Sequence, residues 1–176
     1  MTRALREEIA EHIASLRRYA LVLTRDRDDA EDLVQECLAK AIAAADGYRP
    51  CGDMRAWLFR ILHNAHVSAV RRRRVREMSG IGQDPSGRTQ EAAQDRGLEV
   101  RDVLAALDRL PEEQRQAVTL IAIEELRYEE AARILGIPVG TLMSRLGRGR
   151  AALRDMLNAR ERPTGPKLRL IKGAGP

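Results

Sequence analysis

The sequence predicts an all-α protein built as two small helical domains joined by a flexible linker. Three observations carry this. Apolar residues recur three and four apart along most of the chain, and valine and isoleucine never gather into the alternating runs that a strand requires. Hydrophobic residues make up 44% of the 176 positions but aromatics only 3%, so a core must come from aliphatic helix faces. Residues 79–96, SGIGQDPSGRTQEAAQDR, hold three glycines, a proline and few apolar groups, which marks a linker between two separately patterned halves.

Over residues 3–23, Leu5, Ile9, Ile13, Leu16, Ala20 and Leu23 fall at helical spacing. Residues 24–28 form a polar break in which either Asp26 or Asp28 caps a second helix over 29–45. That helix turns Ala30, Leu33, Val34, Leu38, Ala41 and Ile42 inward. Its outer face begins with an acidic group, Asp29, Glu31, Asp32 and Glu36, with Gln35 among them. The helix dipole favours acids near an N-terminus by about 0.3–1 kcal/mol each. Charge alone therefore leaves two readings open, a stabilised helix start or a docking face. Residues 46–52, DGYRPCG, are a loop by composition. Asp53 caps a third helix over 54–76, with Trp57, Leu58, Ile61, Leu62, Ala65 and Ala69 on its buried face. Its polar side gathers Arg60, Asn64, Ser68, Arg71 and Arg72, and it ends in RRRRVR. Five arginines exceed what the helix dipole asks for, and nucleic-acid contact is the reading that uses them.

Beyond the linker, residues 98–107 form a helix. Pro111 opens another, with Ala117, Val118, Leu120, Ile121 and Ile123 inward. The segment LRYEEAARILGIPVGTLMSRLGRGRAALR then reads as two helices about a tight turn. Over 128–135, Ala131, Ala132, Ile134 and Leu135 face one side. Gly136 can adopt the left-handed conformation that ends a helix, and Pro138 suits the entry to the next. In that second helix Leu142, Leu146 and Leu153 point inward, leaving Thr141, Ser144, Arg145, Arg148 and Arg150 mostly outward. Hydroxyls and guanidinium forks on a helix of this length reach base edges and phosphates in a major groove. Gly147 and Gly149, each about 1 kcal/mol poorer than alanine in a helix, imply that something approaches this helix closely. The pattern points to a DNA-binding helix-turn-helix rather than a solvated helical hairpin. Residues 159–176 read as a basic, disordered tail.

Other classes are excluded or disfavoured. The net charge of +5 favours a polyanionic partner. Cys37 and Cys51 lack metal-ligand spacing and read as reduced thiols, while His12, His63 and His66 are too few for a metal site. No signal peptide or membrane span is visible, which places the expected protein in the cytoplasm. There is no phosphate loop, nucleophile–base pair or carboxylate dyad, so the chain is expected to be no enzyme and to need no cofactor.

Three blocks carry a resemblance to a known family: DDAEDLVQECLAKAI, then DMRAWLFRILHNAHVSAVRRRR, then LDRLPEEQRQAVTLIAIEELRYEEAARILGIPVGTLMSRLGRGRAALR. In this order, over about residues 10–155, the chain resembles an extracytoplasmic-function sigma factor of RNA polymerase. The resemblance implies a region 2 domain over 1–78, a linker over 79–97 and a region 4 domain over 98–158. It implies that Asp29, Glu31, Asp32, Gln35 and Glu36 dock on the β′ clamp helices of the polymerase core, with region 4 meeting the β flap. Arg60, Asn64, Ser68, Arg71 and Arg72 then match the positions that melt and read the −10 element. The loop at Tyr48 to Cys51 matches the pocket for a flipped base. Thr141, Ser144, Arg145, Arg148 and Arg150 would read the −35 element. The resemblance also implies a role in a stress or environmental response, nucleoid association when active, and an anti-sigma factor that closes the two domains upon itself, the free chain being more extended. Val67, Ser68, Met54, Gly147 and Gly149 depart from residues common in the family, which bears on the promoter sequence rather than the role. The competing reading is a helix-turn-helix regulator that acts without polymerase core. The acidic and basic helices of the first half favour the sigma factor.

Overall fold

The computed structural model describes residues 3–45, 53–79 and 105–161, and every element in them is helical. The expected linker, the tail from 162, and the loop holding Tyr48 and Cys51 lie outside the described residues.

The first periodic stretch is two helices, α1 (Arg3–Glu11) and α2 (Ile13–Thr24), rather than one. His12 sits between them at φ −94°, ψ −7°, and its amide bonds back only three residues, to the Ile9 carbonyl at 3.1 Å. Asp26 decides the start of α3 (Arg27–Ala43): its carboxylate accepts from the amides of Asp28 and Asp29 at 2.9 and 3.0 Å. A capped end stabilises such a helix by about 1 kcal/mol. The face of α3 that packs inward carries Ala30, Leu33, Val34, Cys37 and Ala41. Ile42, expected inside, is 51% exposed, and Leu38 is only half-buried, because the inward stripe runs through Cys37 and Ala41 instead. Asp53 caps α4 (Met54–Met78) as expected, accepting from the Arg55 amide at 2.9 Å. Its core residues are Met54, Leu58, Phe59, Leu62, His63, Ala65 and His66, whereas Trp57, Ile61 and Ala69 are half-buried. From Val70 to Ser79 every residue is exposed, so the arginine-rich end of α4 projects beyond the bundle.

In the second half a helical turn over 105–109 leads to α5 (Glu112–Val118). The expected continuous helix is interrupted: Thr119–Ile123 forms a π-helical turn, with the Glu124 amide reaching back five residues to the Thr119 carbonyl at 2.9 Å. The wider turn rotates the residues along it, so Ile121 is half-buried, Ile123 is 39% exposed and Glu124 points into the interior. Next come α6 (Tyr128–Leu135) and α7 (Val139–Glu161). Gly136 ends α6 at φ 64°, as the sequence indicated, and the Pro138 carbonyl starts α7 by accepting from Thr141 and Leu142 at 3.0 and 3.1 Å.

The two halves lie against each other. Helix α4 packs on α6, and α2 packs on α5 and the π turn, so one apolar cluster runs from Ile9 to Leu146. This differs from the extended free chain expected from the linker. The physical reason is at the junction, where polar groups from both halves pair across a shared apolar core.

Candidate nucleic-acid interface

Helix α7 owes its position to Leu142 and Leu146, which are buried against α5 and α6, and to one glycine. A Cβ built on Gly149 would lie 2.8 Å from Val118 Cγ2 and 3.3 Å from both Cβ and the carbonyl oxygen of Gln114. The close approach inferred from the glycines is therefore real at Gly149, but its partner is α5 and not DNA. At Gly147 an added Cβ meets nothing within 4 Å. Of the five residues expected to read the −35 element, Ser144, Arg148 and Arg150 are exposed. Thr141 is half-buried. Arg145 is turned away: its Nη2 lies 3.0 Å from Glu113 Oε2 on α5 and its side chain is 19% exposed. The Arg148 guanidinium folds along its own helix, donating from Nε to the Ser144 carbonyl at 3.3 Å.

On α4, Arg60, Asn64, Ser68, Arg71 and Arg72 are all exposed on one side, next to the projecting Arg73, Arg74 and Arg76. Arg72 is 3.9 Å from Glu36 of α3. The acidic start of α3 is less free than its sequence implies. Glu31 is gripped by Arg17, whose Nε and Nη2 donate to its two oxygens at 2.9 and 2.8 Å, and it accepts from Gln35 at 3.2 Å. The Arg17 guanidinium holds the Glu31 carboxyl below the usual carboxylate range. Glu36 pairs with Lys40 at 2.6 Å. That leaves Asp29 and Asp32 as exposed carboxylates with no side-chain partner among the described residues, flanked by exposed Gln35.

Sequence reasoning missed the junction between the halves. The Glu124 carboxylate, fully buried, accepts from Arg18 Nε and Nη2 at 3.0 Å each and from Arg55 Nη2 at 2.7 Å. Arg55 also lies over the Phe59 ring, 5.7 Å from its centroid. Arg115, itself buried, donates from Nε to the Val22 carbonyl at 3.1 Å. His66 Nε2 is 3.7 Å from Glu112 Oε1. Burial holds the His66 pKa down, against the pull of Glu112. His63 is more strongly affected: desolvation, then the neighbouring His66, lowers its pKa to about 4, while its Nδ1 sits 3.1 Å from the Tyr19 hydroxyl. Desolvation pushes the Cys37 thiol up to about 12, so it is an inert core group. Among the described residues there is no group of three or more metal-ligating side chains and no helix long and apolar enough to cross a membrane.

The acidic start of α3 and the helix-turn-helix fall in segments that match separate family models, whereas α4 from Asn64 onward lies beyond the first match. Residues 9–63 match "Sigma2 domain of PhyR", and residues 100–153 match "Sigma-70, region 4". Over 157 residues the chain is 39% identical to "ECF RNA polymerase sigma factor EcfG" of Rhodopseudomonas palustris, covering 89% of this chain and 87% of that one. The chain belongs to the extracytoplasmic-function family of RNA polymerase sigma factors. Among solved structures, the sigma factor resembles RpoE of Bartonella quintana, co-crystallised with the anti-sigma factor NepR (TM-score 0.75, 34% identity, 89% of this chain and 98% of that one). It also resembles CnrH in complex with the cytosolic domain of CnrY (TM-score 0.64, 30% identity, 89% of each chain). The helix-turn-helix of α6 and α7 thus lies in the region 4 match, and α3 with the first half of α4 in the region 2 match.

Proposed function

We propose that this sigma factor binds RNA polymerase core through the exposed start of α3, opens and reads the −10 element with α4, and reads the −35 element with α7. The observation that carries the reading is the separation of opposite charges on one small domain. Asp29 and Asp32 stand free on α3, while the exposed side of α4 carries six arginines and no acid from Arg60 to Arg76, among Asn64, Ser68 and exposed Val67, Val70 and Val75. An acidic patch cannot bind DNA, and a basic helix end binds it through phosphates, so the two faces suit two different macromolecules. Arg60, Asn64, Ser68, Arg71 and Arg72 would hold the unpaired −10 bases, with Tyr48 in the preceding loop. Melting is then differential binding, which must offset an unstacking cost of a few kcal/mol. The chemistry of RNA synthesis belongs to the core enzyme, and we assign this chain no catalytic group and no cofactor. Its place would be the cytoplasm, at the nucleoid when active.

The closed packing bears on this role. Docking on polymerase and on two separate promoter elements asks the α4 and α7 surfaces to stand apart, and the segment over 80–104 is long enough to allow it. The Bartonella quintana structure is a complex with an anti-sigma factor, and CnrH is held in a complex with the cytosolic domain of CnrY. By that likeness a small inhibitory protein would bind the closed arrangement here and keep it from polymerase. A role in a stress or environmental response rests on the family alone.

The test is association with purified core. Asp29→Lys with Asp32→Lys should abolish core binding while lowering the melting temperature only by the few degrees that reversing charges at a helix N-terminus costs, since both side chains are exposed and without side-chain partners among the described residues. Unchanged association would return these acids to the role of favourable charges at a helix N-terminus.

A further inference from the structure

The helix that reads the −35 element presents less arginine and more apolar surface than its sequence implies. Arg145 is committed to Glu113, and Thr141 is half-buried. In the first two turns of α7 the side chains left exposed are Val139 at 36%, Met143 at 56% and Ser144. Val139 and Met143 are four residues apart and so lie one above the other on the same side. Gly140 and Gly147 beside them carry no side chain, and a Cβ on either would meet nothing within 4 Å, so no neighbouring residue screens Met143. A single exposed apolar residue is ordinary. Two stacked at the start of the second helix of a helix-turn-helix are not, because that is the part of the motif which touches base edges.

We propose that Met143, backed by Val139, is a specificity-determining residue that selects a thymine in the −35 element by contact with its 5-methyl group. Adenine, guanine and cytosine offer only hydrogen-bonding groups on the major-groove edge, and the thymine methyl is the one apolar group there. Met143 has no polar atom able to discriminate between the other three. Its unbranched, polarizable thioether can settle on a methyl from either strand. Ser144 and Arg148, on the adjacent edge of the same exposed face, supply the polar and phosphate contacts that fix the helix in the groove.

This assignment rests on the −35 role of α7 proposed above. The test uses the full chain with polymerase core on a promoter selected by that holoenzyme from a library randomised at the −35 element. Each −35 thymine is replaced singly by deoxyuridine, which exchanges only the methyl for hydrogen. At one position the wild type should lose about fourfold in affinity, the equivalent of one buried methylene. Met143→Ala should lose about as much on the thymine promoter and nothing further on the uracil promoter. Met143→Leu should retain the thymine preference, and Arg148→Ala should weaken both promoters alike. Additive losses at every position, or no position sensitive to the methyl, overturn the assignment while leaving the −35 role intact. A holoenzyme that selects no −35 sequence overturns that role and the assignment with it. Met143 is exposed, so melting temperatures of the variants should match the wild type.

Discussion

Two glycines separated by one residue on α7 should respond oppositely to the same substitution. Replacing either by alanine gains helix propensity, about 1 kcal/mol. At Gly147 nothing opposes the gain, since the added methyl enters open space. At Gly149 the methyl would sit 2.8 Å from Val118 Cγ2 and 3.3 Å from the Gln114 carbonyl oxygen. Val118 is buried and β-branched, and a helical valine has one strongly preferred rotamer, so it cannot swing aside cheaply. The Gln114 carbonyl is part of α5, and moving it means moving that helix. Overpacking of this kind costs about 1–3 kcal/mol. Gly149→Ala should therefore be less stable than Gly147→Ala by about that amount, and near to or below the wild type. For a chain of this size each kcal/mol corresponds to about 2–4 °C in Tm. Urea and thermal melts of the two variants, followed by circular dichroism, measure the difference. Equal stabilisation by both substitutions would refute the close α5–α7 packing, and with it the orientation of the exposed α7 face.

Three further outcomes are expected. Glu124→Gln removes the charge that pairs with both Arg18 and Arg55 across the junction. It should cost about 3 kcal/mol, the low end for breaking a buried pair because Arg18 stays half-exposed, and should raise the radius of gyration in small-angle scattering. An unchanged radius with unchanged stability would show that the ionic contacts do not hold the halves together. The lowered pKa of His63 leaves the unfolded chain binding more protons between pH 6.5 and about 4, so stability contributed by the neutral imidazole is present above pH 6.5 and lost as pH falls through that window. Tyr19, His66 and Glu112 are the groups that influence it or lie near it, and His63→Gln should flatten the pH dependence of denaturation midpoints there, whereas an unaltered slope would assign the proton uptake elsewhere. Arg148→Ala should weaken promoter binding by about 1–3 kcal/mol if it contacts a base, or lower it evenly across sequences with a flatter salt slope if it contacts phosphate; Arg145→Ala, held by Glu113, should change binding less. Equal losses would mean that Arg145 leaves Glu113 on binding DNA.

The features legible in the sequence were those that short-range physics determines. The Asp26 and Asp53 caps, the left-handed Gly136 and the α6–α7 pair all come from local rules about donors, backbone conformation and apolar spacing. The exposed basic side of α4 was legible for the same reason, since its positions recur at three and four. Nothing in those rules announced Glu124. Its inward aim comes from a π-helical turn that shifts the register after Val118, and its partners Arg18 and Arg55 lie 106 and 69 residues away. In a single sequence they are two arginines among thirty-one basic residues. The fate of Arg145 and Glu31 was hidden likewise: each points outward on its own helix and is claimed by a neighbouring one. His63 and His66 are only three apart in sequence, yet long-range packing buries both, His63 beside Tyr19 of α2 and His66 beside Glu112 of α5.

Promoter-directed initiation can be assayed by transcription in vitro. Purified core polymerase, with and without the full chain, is given a promoter library randomised at the −35 and −10 elements, and the transcripts are mapped and counted. Core alone should give no transcripts. With the chain present, initiation should occur at fixed distances downstream of a selected −35/−10 pair, and that activity should be lost in the Asp29→Lys, Asp32→Lys variant. Sequence-selective DNA binding by the chain without core, combined with no transcripts above the core-only level, would contradict promoter-directed initiation and leave a helix-turn-helix regulator in its place.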